Sequence, residues 1–394
     1  MSTTDTSVRA VNLLTGRWAR ELDADANAVI SGAGAWSLLS TLLAAASGEA
    51  QAELEGATSV DQISATSSVL VLLERLDSLE GVSGAIGLWV HEDVPLDEEL
   101  VAEMERITIA PLPFDLGDLD RWASDRTGGL IEEFPGEIAE QTLLVVASAL
   151  ALDADWVSPF EVAGGQWRGE GEELGWLRRK GRDLDAASLL RSGHLTVGRV
   201  ICPTVAGFDV HLVSGAPTDA PGDVLGVAIE ALSGDTEQVL GSELRLGESG
   251  GCVSVQRMNV FEPGPQLSLS LPAFQVTSTH DLLAHPGLFG LAAAMDPTKG
   301  HFPRLSSTPL YVARAMQSAM AGFSATGFKA ATVTMAEMFL VGLPRETASV
   351  VVAEFDRPFG FLVVDHASGL VLVAGWVAKP EQDLVPRDDA DSPW

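Results

Sequence analysis

The alternation of apolar and polar positions divides most of the chain into recognisable elements. Val8, Val11, Leu13 and Leu14 make a partial apolar stripe that predicts a helix from Thr4 to Asp23. Asn27–Ser31 predicts a short strand, and Trp36–Ala46 an apolar helix that ends near Gly48. Gln62–Leu76 repeats at a period near 3.6 through Ile63, Leu70, Leu73 and Leu76, which predicts another helix. Ala85–Val90 reads as a buried strand, Leu96–Arg106 as an acidic helix, and Asp118–Arg126 as a helix that stops before Gly128-Gly129. Leu143–Leu152 is too apolar for an edge strand and reads as a central one, closed by Trp156 and Pro159-Phe160. From Trp167 to Ser254 the text is strand-rich but irregular. His194–Cys202 and Gly207–Val213 alternate as half-buried strands do, while the charged run Glu173–Leu190 predicts an exposed excursion. Gly360–Asp365 and Leu370–Val377 predict two final strands joined at His366-Ala367-Ser368-Gly369. No internal repeat or low-complexity tract is present.

One stretch does not fit a simple helix or strand. Gly327–Phe355 begins with Gly and a run of small and β-branched residues, Ala330, Ala331, Thr332, Val333 and Thr334. It turns apolar through Met338, Phe339, Leu340 and Val341, breaks at Gly342-Leu343-Pro344-Arg345-Glu346, and recovers in Val350, Val351 and Val352. Strand, turn, strand is the plain reading. The other is a long exposed segment, because Gly327 to Pro358 spans 31 residues. Connections beyond about 15 residues without structure of their own are uncommon and usually functional. Small and β-branched residues also lose little side-chain entropy on joining a sheet.

The flanks of that stretch carry a family resemblance. Asp356–Pro380, DRPFGFLVVDHASGLVLVAGWVAKP, resembles the C-terminal signature of the serpins. LPAFQVTSTHDLL (Leu271–Leu283) and LFGLAAAMDPTKGHFPRLSSTPLYVARAMQSA (Leu288–Ala319) resemble the segments that precede the family's reactive loop. NAVISGAGAWSLLSTLLAAASGEAQAEL (Asn27–Leu54), LDRWASDRTGGLIEEF (Leu119–Phe134) and LLVVASALALDADWVSPF (Leu143–Phe160) are similar to three more family segments, in order. The resemblance is weakest between about Gly164 and Ser254. It implies a serpin fold of class α+β: a mixed single domain over 1–394 with three β-sheets, eight or nine helices and a long reactive-centre-type loop, with 380–394 read as a disordered tail.

The resemblance also implies a mechanism. An inhibitory serpin exposes a loop as bait for a serine protease, then inserts the cut loop as a new strand in its largest sheet, so stored strain becomes work. The family hinge maps onto Gly327, Phe328, Lys329, Ala330, Ala331 and Thr332. Thr326 stands where the family has Glu, and Phe328 where it has a small residue that is buried first. Overpacking at such a position costs about 1–3 kcal/mol, which would slow insertion by roughly ten- to hundredfold. The residues matching the sheet-opening positions are Ser148, Trp156 and Gln317, the last in place of a His; Gly32 and Gly34 replace the family's Pro and Ser. The bait falls within Val341, Gly342, Leu343, Pro344, Arg345, Glu346 and Thr347. Counting from Gly327 gives Val341–Gly342; counting back from Pro358 gives Thr347–Ala348, because the loop is six residues longer than usual. Arg345–Glu346 lies between and would suit a trypsin-like protease.

Composition narrows the partners. With 55 acidic and 24 basic residues the formal charge is −31, which argues against nucleic acid and anionic membrane surfaces. No phosphate loop, dinucleotide loop, HExxH or nucleophile elbow occurs, and the 7 His are scattered. No catalytic residue, metal site or cofactor is therefore expected. Cys202 and Cys252 sit in apolar, strand-like text and read as buried free thiols. The absence of a basic-then-apolar leader predicts a cytoplasmic protein, and no run reaches the about 18 apolar residues of a membrane span. The Ala, Gly, Leu, Val and Arg bias with a single Tyr suggests a GC-rich bacterial source. The expected state is a monomer, partnered by a serine protease. The alternative is a non-inhibitory scaffold that binds an apolar small molecule, or cyclises one, in the slot around Ser148 and Gln317.

Overall fold

The computed structural model describes residues 3–112, 116–127, 129, 143–167, 174–328 and 346–380. Among them are eight α-helices and three sheets. The most deeply buried sheet runs in the order Ala28–Ile30, Val371–Val377, Phe359–Asp365, Phe208–Ser214, Leu195–Pro203, Ala187–Ser192, Glu237–Leu240. Every residue of Phe359–Asp365 and Val371–Val377 is buried, as their unbroken apolar runs predict. Burying Phe359 and Phe361 stabilises the fold by about 1.5–3 kcal/mol each.

The helix predicted at Trp36–Ala46 starts earlier, at Gly32, and runs to Ala45 with all its residues buried. Ser31 is its cap: the Ser31 hydroxyl accepts from the Gly34 N–H at 3.0 Å and donates to the Leu372 carbonyl at 2.8 Å. Gly32 and Gly34 are needed because the helix start is crowded. A Cβ on Gly32 would fall 1.8 Å from the Thr15 hydroxyl oxygen, and one on Gly34 would fall 3.0 Å from that of Ser148. The acidic helix predicted over Leu96–Arg106 forms only over Glu98–Glu103.

The front sheet places Leu144–Leu152 in its interior, as predicted, between Val82–Val90 and Arg314–Phe323. Gly327–Phe328 and Ala154–Asp155 extend this sheet at one end, and Phe274–Asp281 pairs with the far side of Arg314–Phe323.

The third sheet corrects two expectations. Its order is Ser249–Gly250, Val253–Val260, Glu346–Glu354, Gln266–Pro272, Leu174–Gly181, Glu161–Gly165. The excursion expected over Glu173–Leu190 is therefore mostly sheet: Leu174–Gly181 is an interior strand, followed by Ala187–Ser192 in the buried sheet. Trp176 and Leu177 are buried while Arg178 and Lys180 are exposed. Glu346 and Thr347, expected in the exposed loop, begin the strand Glu346–Glu354 and lie opposite Val260 and Asn259. The expected hinge residues Lys329, Ala330, Ala331 and Thr332, and Val341, Gly342, Leu343, Pro344 and Arg345, lie outside the described residues, as does the tail expected at 380–394 beyond Pro380.

Candidate functional site: a closed sheet with a seated hinge

The interior of the front sheet is a parallel ladder. Val145–Leu150 pair with Arg314–Ala319 in register, and Ser148 lies opposite Gln317. No third strand stands between them. Both side chains are buried, so the slot expected around Ser148 and Gln317 is closed by direct strand pairing.

Gln317 ties this ladder to the helix beneath it. Its Oε1 accepts from the Ser31 N–H at 2.8 Å and its Nε2 donates to the Ser31 carbonyl at 2.7 Å. The same Nε2 reaches Ser148 Oγ only at 3.4 Å, a weak contact beside the other two. A primary amide meets a buried backbone donor and acceptor together, so both groups of Ser31 are satisfied.

Above Leu150 the two strands part, and the hinge enters between them. Phe323 pairs with Phe328, which pairs in turn with Ala154, while Gly327 pairs with Asp155. A tight turn delivers the hinge: the Ser324 hydroxyl donates to the Gly327 carbonyl at 2.9 Å, and the Gly327 N–H donates back to that hydroxyl at 3.2 Å. Gly327 cannot be larger without movement, since a Cβ there would lie 2.3 Å from the Ala154 carbonyl oxygen.

Phe328 is 0% exposed. Its ring lies 6.3 Å from Trp156 and 6.1 Å from Phe361, centroid to centroid. Trp156 also packs on Phe323 at 4.4 Å and Phe160 at 5.8 Å, and its indole N–H donates to the Ser324 carbonyl at 2.9 Å. The expectation that Phe328 must be buried during insertion is thus corrected: the uncleaved chain already holds it in a fitted aromatic cluster. The same cluster explains Trp156, which holds the turn as well as capping the sheet.

Ser31 was not singled out from sequence as a helix cap, nor Phe160 and Phe323 as partners of Trp156. Ser31 carried a readable signal, a Ser directly before an apolar helical run. The aromatic partners carried none, because their contacts join distant segments. The two thiols are buried and free, as expected. Burial pushes both upward, partly opposed at Cys202 by Arg179. Among the described residues no cluster of three or more His, Cys, Asp or Glu could hold a metal, and no helix is long and apolar enough to cross a membrane.

Known proteins share this fold. The crystal structure of native protease nexin-1 with heparin superposes with a TM-score of 0.73 at 15% identity, covering 96% of this chain and 99% of that one. The thermophilic serpin tengpin in its native state gives 0.70 at 18% identity, covering 96% and 93%. Among curated relatives, glia-derived nexin of Rattus norvegicus is 32% identical over 124 residues, 31% of this chain but only 30% of that protein. Plasminogen activator inhibitor 1 of Sus scrofa is 23% identical over 380 residues, 90% of this chain and 87% of that protein. The family model described as "Serpin (serine protease inhibitor)" matches residues 9–166 and 255–380, leaving unmatched the region where the sequence resemblance is weakest. On the matched length, the closed front sheet and the seated hinge, this chain belongs to the serpin family.

Proposed function

We propose that this serpin inhibits a serine protease of trypsin-like preference by loop insertion. The observation that carries the reading is the front sheet: two parallel strands are paired directly, with Gly327–Phe328 already started between their upper ends. A strand continued from Phe328 would run into the junction held by Ser148 and Gln317, displacing the Val145–Leu150 ladder from Arg314–Ala319.

Of the candidate bait bonds, Thr347–Ala348 is the least suitable. Thr347 is paired across to Asn259, and its hydroxyl donates to Asn259 Oδ1 at 3.0 Å. A protease needs extended chain on both sides of the bond it cuts, which a paired strand denies. Arg345–Glu346 lies at the edge of the pairing, so cleavage there requires only the first pair, Glu346 with Val260, to open, and its Arg supplies the side chain a trypsin-like pocket accepts. The relatives named as protease inhibitors support the same direction.

The test is incubation with trypsin followed by denaturing electrophoresis. The expected product is an SDS-stable complex of serpin plus protease, lost in Arg345→Glu. Cleavage without any such complex overturns the reading.

A further inference from the structure

The six-stranded sheet has an outward face opposite the core, and one part of it is hollow. Val253, Val255, Leu267, Leu269, Val351 and Ala353 point into the main core. By strand alternation, Met258, Val260, Ser268, Val350 and Lys180 lie on the other face. A cleft of about 310 Å³ opens there, lined by Lys180, Met258, Phe261, Gln266, Ser268 and Val350. That volume is at the small end of ligand pockets, which run from about 300 to 1,000 Å³.

The cleft is apolar where a soluble sheet face is ordinarily polar. Val350 is 3% exposed although it lies outside the main core. Met258 and Phe261, at 41% and 43% exposed, form the wall. The Phe261 connection passes from Val253–Val260 to Gln266–Pro272, on either side of Glu346–Glu354, and so holds the wall in place.

Three charged residues line the cleft, Lys180, Arg182 and Glu262, and of these Lys180 alone has no ion-pair partner among the described residues. Lys180 Nζ lies 5.9 Å from the Phe261 ring centroid. Among the described residues no carboxylate comes within 4.0 Å of it, in a chain with 55 acids. Neighbouring Arg182 is already engaged, by Glu262 at 2.9 Å and the Pro263 carbonyl at 3.1 Å. Ser268 and Gln266 add a hydroxyl and an amide.

We infer that this cleft binds a small amphipathic carboxylate, with an aryl or short alkyl body on Val350, Met258 and Phe261 and its carboxylate on Lys180. The geometry matches that class: an apolar slot with one unpaired cation at its edge.

Naphthalene-2-carboxylate titrated into the intact protein by calorimetry tests the assignment, with naphthalene-2-carboxamide as the neutral comparator. The carboxylate is expected to bind saturably at one site. The carboxamide, and the variant Lys180→Met with the carboxylate, are each expected to bind about tenfold more weakly. The carboxamide should be indifferent to Lys180→Met, and Phe261→Ser should weaken both ligands. Both positions are exposed, so the variants should melt as the wild type does. Absence of saturable binding up to millimolar concentration, or equal affinity in Lys180→Met, overturns the assignment. A concentration-dependent dimer in sedimentation that Met258→Glu breaks and the carboxylate leaves intact assigns the cleft to a second copy and overturns it also.

Discussion

Gln317 and Ser31 are joined in both directions, side-chain oxygen to backbone N–H and side-chain nitrogen to backbone carbonyl, across 286 residues of sequence. This pair couples the strand Arg314–Phe323 to the start of the helix Gly32–Ala45. It stands where family resemblance predicted a His and a departure from the usual sheet centre.

Replacing Gln317 with Leu should therefore cost more than a surface change. The Ser31 N–H would be left buried and unpaired, at about 1–3 kcal/mol, while its carbonyl keeps the Ala35 N–H at 3.1 Å. Urea unfolding should show a loss of about 1–3 kcal/mol, and Gln317→Glu should lose at least as much, since it places a carboxyl group in a buried site against the Ser31 carbonyl. Unchanged stability in Gln317→Leu would show that the clamp contributes nothing.

The hinge residue Gly327 gives a second prediction. Gly327→Ala drives a methyl into the Ala154 carbonyl, so the Gly327–Phe328 pairing must shift. We expect a melting temperature lowered by an amount equivalent to about 1–3 kcal/mol, with faster cleavage of the neighbouring segment by a non-target protease. Equal melting and equal cleavage rates would mean that the hinge is not held at this contact.

A third prediction concerns Asp365 at the end of the strand Phe359–Asp365. Burial opposes its ionisation, but hydrogen bonds from Arg75, Ser368 and Ala367 outweigh burial and hold its carboxyl below the ordinary carboxylate range. Arg75 is bidentate, Nε to Oδ2 at 2.8 Å and a terminal nitrogen to Oδ1 at 2.6 Å. Removing the guanidinium in Arg75→Met leaves a buried charge without its partner, and should cost about 3–5 kcal/mol. The double variant Arg75→Met/Asp365→Asn should recover a large part, as a double-mutant cycle would measure.

His211 sets an acid limit. Burial first, then Arg199 and His366, lower its pKa from 6.5 to about 3. The folded state thus keeps it neutral, while the unfolded chain takes up a proton below about 6.5. Its contribution is complete above that pH and declines as pH falls toward about 3. Each pH unit within that window costs about 1.4 kcal/mol. Between pH 6.5 and 5 the wild type should lose about 2 kcal/mol that His211→Leu retains. Parallel acid profiles for the two proteins would contradict this.

The sequence was legible where one segment decides its own environment. Leu144–Leu152 is apolar at almost every position, and only a central strand can bury such a run on both faces. Leu174–Gly181 was misread because Arg178-Arg179-Lys180 hides its alternation. Arg178 and Lys180 are exposed, while Arg179 stacks on Phe160 at 4.4 Å and reaches the Cys202 sulfur at 3.2 Å. The burial of Phe328 was not legible at all, because Trp156 and Phe361 create its pocket from segments 172 and 33 residues away. Gln317 could be placed by motif, but its partner Ser31 could be found only from the folded chain.

The central claim is that the front sheet is poised to accept the chain that continues from Phe328. Thermal unfolding before and after limited proteolysis within 329–345 tests it most directly, because a strand added between Leu144–Leu152 and Arg314–Phe323 must stabilise the fold. The account predicts a large rise in melting temperature after cleavage, with the cut chain still associated. Cleavage that leaves the melting temperature unchanged would mean that the sheet does not open, and would contradict the account.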